Sequence, residues 1–212
     1  MWFRWAAGIA AVAAGAAWLG YDYGLRKGRI GTGRGGVLWE QSAKVRPGGA
    51  VVLGDSNVEL QIFATLCGKP VLNAGISGIR TAALIEPARM VIRRAEPAVT
   101  IVAVGVNDSA RLVATSPADF AHDYARLLAA VKRGGRLIVV GIPPIEPGKR
   151  WGSGFDEARI SAFNALLPKV AAEGGATFVP ALGSTTGLTF DGLHFNAAGD
   201  RAWQASIEAA CR

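Results

Sequence analysis

The chain has 212 residues, half of them apolar, and a formal net charge of +7. This length and apolar content exclude a disordered protein and fit one domain with an N-terminal extension. Residues 1–48 hold seven Lys and Arg against two acidic residues, so +5 of the net charge lies there. That placement favours a basic segment beside anionic lipid over a nucleic-acid-binding face, and we expect no nucleic-acid partner.

Residues 1–23 are predicted to be a membrane anchor or a signal segment. A charge-free apolar run at 6–20 has aromatic residues on both sides, which is typical of anchors at a membrane interface. The run is long for a signal peptide and short for a spanning helix, so an uncleaved anchor, which we favour, and a cleaved signal both stay open. Residues 24–49 are rich in Gly and Arg and are interpreted as a basic linker.

Two observations predict opposite sides of the membrane for the large domain. More cations follow the apolar run than precede it, which by the positive-inside rule places the domain in the cytoplasm. The two cysteines of the chain instead favour export to an oxidising compartment. Our expectation is a protein anchored in the membrane or secreted to the cell envelope or periplasm, with the cytoplasmic orientation as the alternative.

From residue 50 onward, short apolar strands alternate with helical stretches. Strands are predicted at 50–53, 70–73, 100–104, 136–140 and 177–180, and helices at 58–67, 81–94, 117–132, 156–173 and 196–210. This alternation predicts a parallel five-stranded sheet with helices on both faces, a three-layer α/β/α domain over 50–212. In such a sheet, ligands bind at the loops that follow the carboxyl ends of the strands.

A serine follows the first predicted strand, in Gly54-Asp55-Ser56. At the start of a helix, unpaired N–H groups and the helix dipole favour developing negative charge. A serine nucleophile needs a base beside it, and that base needs an acid to orient it. Asp191 and His194, three residues apart ahead of the last helix, supply both. The alternative is that Ser56 and the Asp–His pair only cap helices.

Two further loops carry candidate donors for an oxyanion hole, together with the N–H of Ser56. Gly78 lies in a glycine-rich turn after the second strand, where a backbone N–H can approach a substrate closely. Asn107 follows the third strand and offers a side-chain amide. Each is also an ordinary turn residue. The second histidine, His122, lies within a predicted helix and is interpreted as a surface or core residue.

These features resemble the SGNH/GDSL hydrolase family, whose blocks occur in the same order from about 51 to 196: Gly54-Asp55-Ser56, Gly78 within 73–78, Gly105-Val106-Asn107-Asp108, and Asp191-Gly192-Leu193-His194. The resemblance implies a flavodoxin-like α/β/α fold and a triad of Ser56, His194 and Asp191. It also implies an oxyanion hole and ester hydrolysis through an acyl-enzyme, without metal or cofactor.

Substrate contacts are expected from Asn57, which follows the serine, and from Pro143 and Trp151 in the loop after the fourth strand. Trp151 is suited to stacking on a sugar. Because no long apolar insertion forms a lid, we expect a short acyl group such as acetyl, on a glycan or small molecule. An O-acyltransferase with the same triad, a lipase or thioesterase, and a non-catalytic glycan-binding module stay open. A dinucleotide site is disfavoured because the 73–78 turn lacks the full glycine fingerprint.

The flavodoxin-like order also bears on Cys67 and Cys211. It places the first and last helices on one face of the sheet, with both cysteines at the same edge. A disulfide between them is therefore our hypothesis, with two free, half-buried thiols as the alternative.

Overall fold

The computed structural model of the protein describes residues 34–44, 47–113 and 115–211. The anchor or signal predicted at 1–23 lies outside these residues, as does much of the predicted linker. Within the described ranges, no helix combines the length and the apolar character needed to cross a membrane.

The sheet has the five predicted parallel strands and one addition. They are β1 (Ala50–Gly54), β2 (Thr65–Leu66), β3 (Lys69–Gly75), β4 (Val99–Ala103), β5 (Arg136–Val140) and β6 (Thr177–Val179). The spatial order is β2-β3-β1-β4-β5-β6, and only the short edge strand β2 runs antiparallel to its neighbour. This confirms the predicted parallel α/β/α fold, with a sixth strand that the sequence did not indicate.

The helices are α1 (Arg34–Lys44), α2 (Ser56–Glu59), α3 (Thr81–Ala95), α4 (Pro117–Val131), α5 (Glu157–Glu173) and α6 (Ala197–Ala210). Two 3₁₀ turns, Val106–Ser109 and Gly152–Gly154, lie in the loops after β4 and β5. The last four helices match the predicted bounds to within one residue at each end.

The core lies on both faces of the sheet. Against one face, α3, α4 and α5 pack around the fully buried Phe120, Tyr124 and Phe163. Against the other, α6 contributes Trp203 and Ile207. Every residue of the central strand β1 is buried, as expected of a parallel strand covered on both sides.

Helix α1 lies in the segment that was interpreted as a linker. Among the α1 side chains that the structure describes, only Leu38 and Ser42 are buried, so the sequence shows little apolar periodicity. Leu38 is fully buried in the core beside α3, and the guanidinium of Arg94 lies 3.6 Å from the ring centroid of Trp39. The packed part of the chain therefore begins before residue 50.

The prediction of a helix at 58–67 is wrong. Helix α2 ends at Glu59, and the chain reaches β2 through a loop. Cys67 and Gly68 then turn the chain back into β3 with positive φ angles of 53° and 65°. Two consecutive residues with positive φ form the tight turn that suits a two-residue hairpin loop. The apolar residues that suggested a helix do not form one buried face: Leu66 is buried beneath α6, whereas Leu60 and Ile62 are exposed in the loop.

Cys67 and Cys211 form a disulfide, with their Cα atoms 5.2 Å apart. The hypothesis of a bridge is confirmed, but its first cysteine lies in the β2–β3 turn and not at the end of a helix. The bridge ties this hairpin to the end of α6.

Candidate active site

The strand register places the predicted motifs at one edge of the sheet. Gly54, the last residue of β1, pairs with Gly75 of β3 and with Ala103 of β4. The three strands therefore end level with one another, and the loops that follow them lie side by side. A Cβ atom on Gly54 would lie 2.3 Å from a methyl group of Val58 and 2.4 Å from the Ala103 carbonyl oxygen. Glycine here lets α2 turn directly over the end of β1.

Ser56, His194 and Asp191 form a continuous hydrogen-bonded chain. Ser56 Oγ lies 2.9 Å from His194 Nε2, and His194 Nδ1 lies 2.7 Å from Asp191 Oδ2. The serine and histidine are 138 residues apart in sequence. All three side chains are mostly buried but reach the surface. This is the arrangement that a base-activated serine requires.

The turn around Asp191 holds its carboxylate in place. Oδ1 accepts hydrogen bonds from the backbone N–H of His194 at 2.8 Å and of Leu193 at 3.0 Å, while Oδ2 faces the imidazole. Burial raises the pKa of Asp191, but the hydrogen bonds from His194 and Leu193 outweigh it, so the pKa lies below its ordinary value. Asp191 is therefore ionised and stabilises a proton on Nδ1 of His194.

A second carboxyl, Asp55, lies beneath Ser56. It caps α2 by accepting the N–H of Asn57 at 3.0 Å, and only 3% of it is exposed. Burial, together with the nearby charge of Asp108, raises the pKa of Asp55 to about 7. Asp108, also buried, accepts both the N–H and the hydroxyl of Thr81 at 3.0 Å. Two acids thus lie beneath the site without belonging to the hydrogen-bonded chain.

The residues predicted for the oxyanion hole lie on neighbouring loops. The side-chain amide of Asn107 donates to the carbonyl oxygen of Ile79 at 3.0 Å, which joins the loop after β4 to the turn of Gly78. Gly78 has a φ of 74° and is exposed, a backbone conformation that favours glycine. The carboxylate of Glu59 in α2 accepts the N–H of Ser77, which fixes the same turn against the helix that begins at Ser56. The roles of Gly78 and Asn107 as donors stay a prediction.

The three predicted substrate contacts lie in two places. Asn57 is 8% exposed, and with Pro143 it lines a cavity of about 20 Å³ below the surface. Neither polar atom of its side chain has a hydrogen-bond partner among the described residues. Trp151 is 41% exposed, and its backbone N–H donates to the carbonyl oxygen of Asp191 at 3.0 Å. The other histidine, His122, is exposed on α4, away from these residues.

Two residues that the sequence did not indicate lie beside the triad. Phe190, directly before Asp191, is 61% exposed, and its ring stacks on that of His194 with centroids 5.7 Å apart. Glu146, in the loop after β5, accepts hydrogen bonds from Gly187 and Thr189 in the loop that carries the triad acid. Phe190 could have been found from the sequence, because it lies directly before the Asp191-Gly192-Leu193-His194 block. Glu146 gave no such signal, because its partners are more than 40 residues away.

A wider groove of about 680 Å³ lies elsewhere, between α3 and α4. Arginines and isoleucines such as Arg93 and Ile92 line it, and none of the predicted site residues does. The chemistry is therefore assigned to the sheet edge and not to this groove.

Comparison with known proteins agrees with this geometry. Residues 52–202 match the GDSL-like lipase/acylhydrolase family. A search of the curated proteins finds no match to the chain. Many solved structures share the fold, and three of them illustrate the similarity. A protein of Streptococcus pneumonia described as a platelet activating factor has a TM-score of 0.77 and 21% identity, over 94% of this chain and 99% of that one.

The second structure, a GDSL-like lipase of Bacteroides thetaiotaomicron, has a TM-score of 0.63 and 19% identity, over 81% and 89% of the two chains. The third, an acetyl xylan esterase, has a TM-score of 0.64 and 18% identity, over 76% and 98%. At these identities the three structures show a common fold. The family match covers most of the chain and carries the four blocks in order, so the protein belongs to the GDSL-like lipase/acylhydrolase family and is an ester hydrolase.

Proposed function

We propose that this protein hydrolyses short-acyl carboxylic esters, with Ser56 as nucleophile, His194 as base and Asp191 as the acid that orients it. The observation that carries the proposal is the hydrogen-bonded chain from Ser56 Oγ through the imidazole to the Asp191 carboxylate. Because Nδ1 is held by an ionised carboxylate, Nε2 is the free acceptor for the serine proton.

In the first step Ser56 Oγ attacks the ester carbonyl carbon while its proton passes to His194 Nε2. The carbonyl oxygen becomes an oxyanion, which the N–H groups of Ser56 and Gly78 and the amide of Asn107 stabilise. The bond to the alcohol oxygen then breaks, and that oxygen takes the proton from His194. Water repeats the sequence on the acyl-enzyme and releases the carboxylic acid.

The proposal of a short acyl group rests on the sequence, in which no long apolar insertion is present to form a lid over a bulky acyl chain. A long acyl chain would have to lie along the protein surface. The acetyl xylan esterase with the same fold is an enzyme of this class, and it supports the proposal as a structural neighbour. We propose an acetyl ester of a glycan or small alcohol as the substrate.

The test is hydrolysis of p-nitrophenyl esters from acetate to octanoate by the full chain and by Ser56→Ala. We expect kcat/KM to fall with chain length in the wild type, and to fall by at least 10³-fold in the variant, because the remaining donors act without a nucleophile. Ser161→Ala, at an exposed position of α5 outside the site, is the matched serine control and should retain the activity.

Equal hydrolysis by wild type and Ser56→Ala would contradict the assignment of the nucleophile. A rate that rises toward octanoate would instead assign a lipase or a long-chain thioesterase. Product analysis with a sugar acceptor completes the test, because acyl transfer to the sugar in preference to water would assign an O-acyltransferase.

We also propose that the protein works at the membrane or in the cell envelope. The support is the apolar run at 6–20 of the sequence, together with the disulfide between Cys67 and Cys211. Disulfides persist in oxidising compartments and are rare in the cytosol. The redox state of the two cysteines in the cell therefore tests the location.

A further inference from the structure

Two exposed aromatic residues lie in the loops next to the histidine and the acid of the triad: the Phe190 ring stacks on His194, and the main chain of Trp151 contacts Asp191. Phe190 is 61% exposed and Trp151 is 41% exposed. They come from different loops, the first preceding Asp191 and the second following β5. Large aromatic surface left in water beside reacting groups is available to a ligand.

Phe190 has a defined orientation despite its exposure. Its backbone N–H donates to the carbonyl oxygen of His194 at 3.0 Å, and Thr189 and Phe195 form a β-bridge on either side of the turn. The Phe190 ring lies nearly parallel to the imidazole, with 20° between the planes. Its loop and ring are therefore ordered before a ligand binds, which lowers the entropic cost of binding.

Trp151 is joined to the same turn through the main chain. Its backbone N–H donates to the carbonyl oxygen of Asp191 at 3.0 Å, so the two aromatic residues belong to adjacent, hydrogen-bonded loops. The guanidinium carbon of Arg150 lies 5.0 Å from the centroid of the Trp151 ring. This contact orients the indole and adds donors for hydroxyl or carbonyl oxygens at the rim.

The proton transfer from His194 indicates which half of an ester lies against these rings. His194 Nε2 passes its proton to the alcohol oxygen when that oxygen leaves, so the alcohol half must lie against the imidazole. We propose that Phe190 and Trp151 form a subsite for the alcohol half of the substrate, and that this subsite selects alcohols built on a six-membered ring with a flat apolar face. A pyranose and an aromatic alcohol share that chemistry. The inference rests on the proposed function, because it takes His194 as the group that protonates the leaving oxygen.

The experiment compares three acetate esters that differ only in the alcohol: ethyl acetate, phenyl acetate and an acetylated methyl xylopyranoside. The full chain is assayed as wild type and as Phe190→Ala, Trp151→Ala and Phe190→Tyr. We expect the two alanine variants to lose about 3- to 10-fold in kcat/KM on the ring esters and less than 2-fold on ethyl acetate, because only a ring stacks on them. Phe190→Tyr keeps the ring and retains the preference.

The control variant is Ile62→Ala, which removes a more exposed apolar side chain, 91% exposed, in the loop between α2 and β2. It should leave all three rates unchanged. Changing acetate to butyrate on phenol should lower the rates of wild type and Phe190→Ala by the same factor, because the subsite holds the alcohol and not the acyl group.

Loss on the xylopyranoside alone would assign a sugar, and loss on phenyl acetate alone would assign an aromatic alcohol. Equal loss on all three esters would overturn the subsite, since it would show that Phe190 only positions His194. Ligand-observed NMR with Ser56→Ala and the acetylated methyl xylopyranoside or phenyl acetate gives a reading without turnover. Binding that survives Phe190→Ala and Trp151→Ala would overturn the subsite, whereas a wild type inactive on every ester would contradict only the proposed function.

Discussion

At the scale of single residues, the motif that positions Ser56 also buries the carboxyl of Asp55, which destabilises the charged form of that group. The carboxyl is almost fully buried because it caps α2 directly under Ser56. The N–H groups of Asn57 and Gly105 favour its ionised form, yet burial dominates and raises its pKa from 3.8 to about 7. The folded protein therefore retains a proton on Asp55 that the unfolded chain has already lost.

This retained proton sets the sign of a pH effect. Between pH 3.8 and about 7 the folded state binds more protons than the unfolded state at Asp55, so the free energy of unfolding falls as the pH rises. The slope from this one group is at most about 1.4 kcal/mol per pH unit. We expect Asp55→Asn to flatten the dependence, because an amide oxygen still accepts the Asn57 N–H and carries no charge.

Urea unfolding at pH 4.5, 6 and 7.5 measures the effect. Glu173→Gln, which removes an exposed carboxylate at the end of α5, is the control and should follow the wild type. A variant at Asp55 with the same pH slope as the wild type would show that this carboxyl is ionised in the folded protein.

At the scale of elements, the loop after β5 clamps the loop that carries the triad acid. Glu146 is the centre of the contact, with its carboxylate accepting the N–H of Gly187 at 2.9 Å, the hydroxyl of Thr189 and the ammonium of Lys149 at 2.9 Å. The hydrogen bonds from Thr189, Gly187 and Lys149 lower the pKa of Glu146 to about 2. Its backbone N–H also donates to the Gly192 carbonyl oxygen at 2.9 Å. Both the side chain and the main chain of Glu146 therefore hold the loop that carries Asp191.

Replacing this carboxylate tests whether the clamp positions the triad. In Glu146→Gln an amide group meets donors that need an acceptor, which loosens the turn around Asp191. We expect kcat on p-nitrophenyl acetate to fall about 10- to 100-fold with KM nearly unchanged, because a small displacement of the base slows proton transfer. Glu40→Gln, on the exposed side of α1, is the control. An unfolding midpoint that drops while kcat stays constant would assign Glu146 a purely structural role.

The elements also show what the sequence predicts and where it fails. The regular strands and the four long helices follow from apolar spacing, and the four blocks place Ser56, Asp191 and His194 at one edge. The loop-and-hairpin segment at 60–68 was missed because Cys67 at positive φ is an unusual turn residue. Helix α1 was missed because a single apolar side chain, Leu38, anchors it. Contacts such as those of Glu146 depend on loops that only the folded chain brings together.

At the scale of the whole molecule, the disulfide joins the β2–β3 hairpin near the start of the domain to its last helix. It closes a separation of 144 residues between the β2–β3 turn and the last turn of α6. The side chains around it reinforce the junction, since Glu208 accepts the Cys67 N–H at 2.9 Å and the Arg136 guanidinium donates to the Cys211 carbonyl oxygen at 2.9 Å. The junction lies where the parallel strands begin, at the edge opposite the triad.

This placement predicts that the bridge stabilises the protein without taking part in its chemistry. We expect Cys67→Ser/Cys211→Ser to lower the free energy of unfolding by about 2–4 kcal/mol, because a long loop in the unfolded chain is no longer closed. The hydrolysis rate of the folded variant should equal that of the wild type. Urea unfolding of the full chain with and without reductant measures the first quantity, and the reduced wild type should match the variant.

The same pair of cysteines reports on the compartment. In intact cells, a thiol reagent added before lysis should leave both unlabelled if the domain lies in an oxidising envelope, and label both if it lies in the cytosol. Labelled cysteines would contradict the proposed location but not the fold or the site. Equal unfolding midpoints with and without reductant would contradict the stabilising role itself. Labelling in cells therefore tests where the protein works, and unfolding with and without reductant tests how the last helix is held to the sheet.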